Sequence, residues 1–112
     1  MKNILKNIPK DEVLNPADLV EIYPGQVISR TLVQNKAVSI TLFAFDKNEE
    51  IGTHGSEGDA FVSVLQGTGR FTVGGKEHIV KAGESLVMPA GIPHSVFAVE
   101  PFKWILTVVF PQ

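Results

Sequence analysis

The chain contains no cysteine, and that removes two kinds of explanation at once. No disulfide framework can hold it together, and no thiolate can serve as nucleophile or metal ligand. Charge is sparse and nearly balanced: ten Lys and Arg stand against twelve Asp and Glu, a formal net charge of −2. Without a basic cluster, or a basic face studded with aromatics, nothing favours nucleic acid as a partner. No apolar run approaches the length of a membrane span. The start, Met1-Lys2-Asn3-Ile4-Leu5-Lys6-Asn7-Ile8-Pro9, lacks the apolar stretch and small-residue cleavage site of a secretory signal. The expected setting is therefore cytoplasmic, with neither membrane nor nucleic acid as partner. There is no phosphate-binding glycine loop, because the glycines punctuate strands and never open a helix, and no nucleophile elbow occurs.

What is present suits one folded domain. A chain of 112 residues with 44% hydrophobic residues is large enough to bury a core without a covalent staple. Residues 1–18 read as an N-terminal arm. Ile4, Leu5 and Ile8 share a helical face, but Pro9 and Pro16 forbid a long helix. Asn15-Pro16-Ala17-Asp18 suits a short helical turn, with Asn15 as cap and Pro16 at the first position. Residues 19–112 then read as strand upon strand, with no internal repeat and no interdomain linker.

Leu19 to Tyr23, Gln26 to Val33 and Ala37 to Phe45 open the series, the first two separated by Pro24-Gly25. Phe61 to Leu65, Arg70 to Val73 and Glu77 to Val80 follow. Ser85 to Met88, Ser95 to Val99 and Phe102 to Phe110 complete it. Gly74-Gly75 between two short runs is a two-residue hairpin signal. Strands this short, without long helices, indicate an all-β sandwich or barrel. Two strands are apolar on both faces: in Phe102–Phe110 one face carries Trp104, Leu106 and Val108 and the other Ile105 and Val109. Phe61, Val62, Val64 and Leu65 repeat the pattern. Such strands are covered on both sides, by a second sheet, the arm or another subunit. The expectation is a homodimer built partly from the arm and the outer faces near Phe61 and Leu65.

Two histidines bracket the middle of the chain. His54 lies in Gly52-Thr53-His54-Gly55-Ser56 and His94 closes Gly83-Glu84-Ser85-Leu86-Val87-Met88-Pro89-Ala90-Gly91-Ile92-Pro93-His94. Each is expected to begin a strand, and a closed antiparallel sheet brings such strand ends together at the barrel mouth. Gly83, Pro89, Gly91 and His94 match the second motif of the cupins position for position, although its terminal asparagine falls on Ala98. In the first motif His54 and Gly67 fit, Asn48 stands at the leading glycine, Ser56 at the second histidine and Ala60 at the acid. From about residue 37 to 110 the chain thus resembles the small single-domain cupins. The resemblance implies a double-stranded β-helix, the cupin jelly-roll barrel, in a family whose members are commonly dimers.

The resemblance also implies a metal centre of three histidines and one glutamate, of which this chain supplies only His54 and His94. Ser56 is a poor ligand for a transition metal, and Ala60 offers no donor. Two readings follow. In the first, a small organic ligand binds in the cavity beside His54, Ser56, Ala60 and His94, and the metal site is degenerate. In the second, His54 and His94 hold a divalent metal (Ni, Zn, Mn or Fe) with Glu57 as a further ligand, as in cupin dioxygenases, isomerases or decarboxylases. Asp59 is expected to point to the face opposite Ala60, since side chains alternate along a strand. The pairs Glu49-Glu50 and Glu57-Asp59 read as solvated loop charges, His78 as a surface residue, and Trp104 and the phenylalanines as core.

Overall fold

Runs of β-branched and aromatic residues, cut by Gly, Asn and Pro, leave this chain little choice but short paired strands. The computed structural model describes residues 4–112. Its strands are β1 (Val27–Gln34), β2 (Val38–Phe45), β3 (Glu50–His54), β4 (Asp59–Gln66) and β5 (Thr68–Val73), then β6 (Lys76–Lys81), β7 (Ser85–Met88), β8 (His94–Ala98) and β9 (Phe102–Val109). They form a larger sheet in the order β1-β2-β9-β4-β7 and a smaller one in the order β3-β8-β5-β6. Every pairing is antiparallel. Apart from the β1-β2 and β5-β6 hairpins, successive strands cross between the sheets, so β9 lies between β2 and β4 while β8 lies between β3 and β5. This is the expected all-β jelly-roll barrel, the double-stranded β-helix.

Local chemistry sets the corners. Gly74 and Gly75 have φ of 56° and 84°, the pair of positive values that a two-residue hairpin turn requires. They join β5 to β6 with Val73 opposite Lys76. Asn48 adopts φ 70°, one of the few side-chain-bearing residues for which that region is tolerable.

The side chains between the sheets form one cluster that includes Phe45, Phe71, Phe102, Trp104, Val62 and Met88. A second cluster lies on the outer face of the larger sheet, where Leu32, Leu42 and Ala44 pack with Val20, Ile8, Ile22 and Ile105. The two-sided character of β9 follows: Trp104 faces the inner cluster and Ile105 the outer one. Cover for that outer face comes in part from the chain's own arm. Arg30 fastens the arm by donating from Nε to the Asn7 carbonyl (2.6 Å) and from Nη1 to the Leu19 carbonyl (3.1 Å).

The segment that follows the arm corrects one expectation. Leu19 to Tyr23 is no strand: Pro16–Leu19 is a 3₁₀ turn capped by Asn15, whose side chain accepts from the Ala17 N–H at 3.1 Å. Val20 and Ile22 alternate inward because an extended segment lies flat on the sheet, with one side buried and no ladder partner. Among the described residues no helix is long and apolar enough to cross a membrane.

Candidate functional site

His94 opens β8, whose buried residues alternate as His94, Val96 and Ala98. Val96 and Ala98 belong to the inner cluster, so strand alternation puts His94 on the inner face as well. His54 closes β3; it does not begin a strand, as the sequence had suggested. Alternation alone would turn it outward, because Ile51 packs against the inner cluster and His54 lies three residues further on. A bulge prevents this. Ile51 is opposite Val96 and His54 is opposite His94, three steps on one strand against two on the other. The extra residue re-aims the side chain, and the exposed Gly52-Thr53 segment absorbs it. The two rings meet edge to face with centroids 4.4 Å apart.

The imidazoles share a local arrangement. His54 Nδ1 lies 2.9 Å from the Gly52 carbonyl oxygen, and His94 Nδ1 lies 3.3 Å from that of Ile92. A carbonyl only accepts, so each Nδ1 carries its proton and each neutral ring keeps its lone pair on Nε2. His54 is exposed, whereas His94 is 4% exposed. Burial holds His94 below the ordinary histidine value, the nearby His54 lowers it further, and the bond to Ile92 opposes both. With both rings neutral, the pair offers two acceptor nitrogens at the edge of an apolar interior.

The segments carrying the histidines are bound to each other. Gly91 N–H donates to the Ser56 carbonyl at 2.8 Å, and Ala90 N–H donates to Asp59 Oδ1 at 2.8 Å. Pro93 is held from the far side by the Gly74 N–H at 2.9 Å. Asp59 is thus more than a solvated charge: it clamps the turn that delivers His94. The signal for this role was present in the alternation that turns Asp59 away from Ala60. Gly58 is required beside it, because a Cβ there would strike the Val109 carbonyl oxygen and Val108 Cγ1.

The remaining candidates separate. Ala60 is 1% exposed on the inner face of β4, between Met88 and Val108 in register. The Ser56 hydroxyl serves its own loop, accepting from the Gly58 N–H at 3.2 Å. Glu57 is exposed and lines hollows at the C-terminal tail with Phe110 and Pro111. The structure does not bring it to the pair, and no group of three His, Cys, Asp or Glu able to hold a metal exists among the described residues. His78 is half-buried and pairs with Phe71, which puts it on the inner-facing side of edge strand β6, away from the expected surface position. The histidines do not line the open hollow of about 800 Å³ between the arm and β1. Between the sheets, the rings of Phe45, Phe71, Phe102 and Trp104 fill the space.

The glycine-proline framework, the crossing sheets and the paired histidines agree with sequence comparison, in which the Cupin domain family matches residues 41–109. The chain belongs to the cupins. A conserved protein of unknown function from Streptococcus pyogenes is similar to this cupin at 43% identity, over 99% of this chain and 97% of that one, with a TM-score of 0.97. A cupin superfamily protein from Desulfitobacterium hafniense is 29% identical over 96% and 98% of the two chains, with a TM-score of 0.91. A cupin 2 conserved barrel domain protein from Leptotrichia buccalis is 44% identical over 83% of this chain, with a TM-score of 0.82, but the match spans only 45% of its own length. No curated protein matches this cupin in sequence.

Its donor set does not fit the family's four-ligand metal centre. Two imidazoles have the right tautomer, but Ser56 is engaged with its loop, Ala60 has no donor atom, and Glu57 lies elsewhere.

Proposed function

We propose that this cupin binds a small organic ligand at the barrel mouth, with His54 and His94 as hydrogen-bond acceptors and no obligatory metal. One observation carries the reading: two imidazoles 4.4 Å apart each commit Nδ1 to a backbone carbonyl, which leaves Nε2 as the acceptor of each neutral ring. The half-buried apolar residues Val73, beside His94 in register, and Ile51, inward on β3, provide contact area for an apolar ligand body. In NMR titrations, ligand-sized phenols should shift the His54 and His94 imidazole resonances in metal-free protein. Phenols that leave both imidazoles unmoved would overturn the reading.

A second reading rests on the same Nδ1 contacts, since metal-binding histidines commonly anchor the ring by the other nitrogen. It makes the protein a metal-dependent cupin enzyme. One tightly held metal per chain in untagged, purified protein would establish it over the first. For a partner we propose a second copy, supported by the bare apolar surface around Phe61 on the larger sheet, and the setting remains the cytoplasm expected from the sequence.

A further inference from the structure

Trp104 is the least satisfied polar group in the described interior. Its side chain is 1% exposed, and its indole Nε1 has no hydrogen-bond acceptor among the described residues. An indole N–H can only donate, and a buried donor without a partner weakens the folded state. Hydrocarbon rings surround it. Phe43 stacks at 4.7 Å and Phe102 at 5.9 Å, while Phe71 and Phe45 meet it edge to face at 5.1 and 5.7 Å. Packing alone calls for an aromatic ring at this position and gives no use for the N–H.

Register relates this ring to the histidines. Phe71, which touches Trp104, pairs with Val96, the next inward residue after His94 on β8. Trp104 therefore sits one inward layer below the pair, on the facing sheet. Of the four phenylalanines around it, Phe43 alone is not fully buried, and it pairs directly with Trp104 across β2 and β9. Rotation of Phe43 would open the stack toward solvent at the cost of its edge-to-face contact with Phe45 at 5.7 Å.

We infer that Trp104 is a specificity-determining residue of the mouth site, whose ligand carries a hydrogen-bond acceptor that meets the indole N–H. The ligand class is a flat, largely apolar molecule with a donor at its outer end for Nε2 of the histidines. At its inner end it has a carbonyl or similar acceptor, seated where Phe43 now stacks. This rests on the ligand-binding reading above and adds to it the second polar end.

The test uses two matched probes, 4-hydroxyacetophenone and 4-ethylphenol, which share the phenol donor and differ in the inner carbonyl. Because the chain has a single tryptophan, its indole Nε1–H cross-peak in a ¹⁵N-labelled sample is unambiguous. Both probes should shift the imidazoles, and only the ketone should move the indole N–H downfield. The ketone should also bind about tenfold more tightly, one hydrogen bond's worth. In Trp104→Phe the ketone's advantage over 4-ethylphenol should vanish. If the phenols move the imidazoles equally and the indole not at all, the Trp104 inference fails and the ligand site stands. If neither probe reaches the imidazoles, both fall. A long-lived water on the indole N–H in free protein would show the donor already satisfied and would also overturn the inference.

Discussion

At the scale of single residues, His94 governs the pH response. Burial and the His54 ring hold its pKa below the ordinary value, near 6.5 for an unfolded histidine. Between the folded and unfolded values the unfolded chain binds more protons, so stability rises with pH across that interval. The contribution is complete above about pH 6.5 and is lost as the pH falls through the lower, folded value. Urea unfolding from pH 5 to 8 should show this rise in the parent and a flatter profile in His94→Gln; parallel profiles would refute the burial argument. The missing ligands make a second test. Ala60 faces the interior, so Ser56→His with Ala60→Glu should add an imidazole in the histidine loop and a carboxylate inside. Without metal, the buried carboxylate destabilises the variant. Nickel or zinc at 100 times its dissociation constant would restore about 2.7 kcal/mol, a rise in Tm on the order of 10 °C for a domain of this size. The parent should shift far less, and equal shifts would mean that two histidines already suffice.

At the scale of elements, the two histidine segments act as one unit because their loops are bound to each other. Asp59→Ala removes the acceptor for the Ala90 N–H and should cost about 1 kcal/mol. It should also alter the His94 imidazole resonance, whereas Asp59→Asn, which keeps an oxygen acceptor, should leave both nearly unchanged. Loss in both variants would point to charge instead of the hydrogen bond. Arg30→Ala releases the arm from two carbonyls and should lower stability by about 1–3 kcal/mol, read by thermal unfolding. Strand identity was legible wherever alternation or β-branched runs met a glycine turn, as in β2, β7, β9 and the Gly74-Gly75 hairpin. β3 was not, because Glu50-Ile51-Gly52-Thr53-His54 alternates poorly and owes its pairing to β8. The bulge that turns His54 inward left no mark in residue type, since neither Gly52 nor Thr53 is peculiar to bulges. The Leu19 to Tyr23 segment misled for the opposite reason: Val20 and Ile22 alternate like a strand, yet what they report is one buried side and no ladder. Ser56 and Ala60 could be placed at motif positions from sequence, but only the structure reveals that the Ser56 hydroxyl is turned into its own loop.

At the scale of the whole molecule, the outer face of the larger sheet is only half covered. The arm seals the region of Leu42, Ala44 and Ile105. Beyond it Phe61 is 45% exposed, Val87 49% and Val109 57%. These three form one patch: Phe61 pairs with Val87 on β7 and with Thr107 on β9, two residues from Val109 on the same face. Contiguous apolar surface on a small domain is costly to leave in water and is commonly the site of association. A two-fold pair of copies would bury the patch against itself, since an isologous contact needs only one self-complementary surface. The arm's part in the dimer expected from sequence stays open to the same test, because Ile8 packs on its own sheet while Ile4, Leu5 and Val13 are exposed. Phe61→Glu is the decisive variant. Phe61 lies on the outer face and contributes little to the inner core, so the variant should fold with a far-ultraviolet circular dichroism spectrum like that of the parent. Light scattering at micromolar concentration should then give twice the chain mass for the parent and the single-chain mass for the variant. A parent that is monomeric would end the dimer proposal. A variant that stays dimeric would move the interface off this patch, with the exposed face of the smaller sheet as the next surface to test.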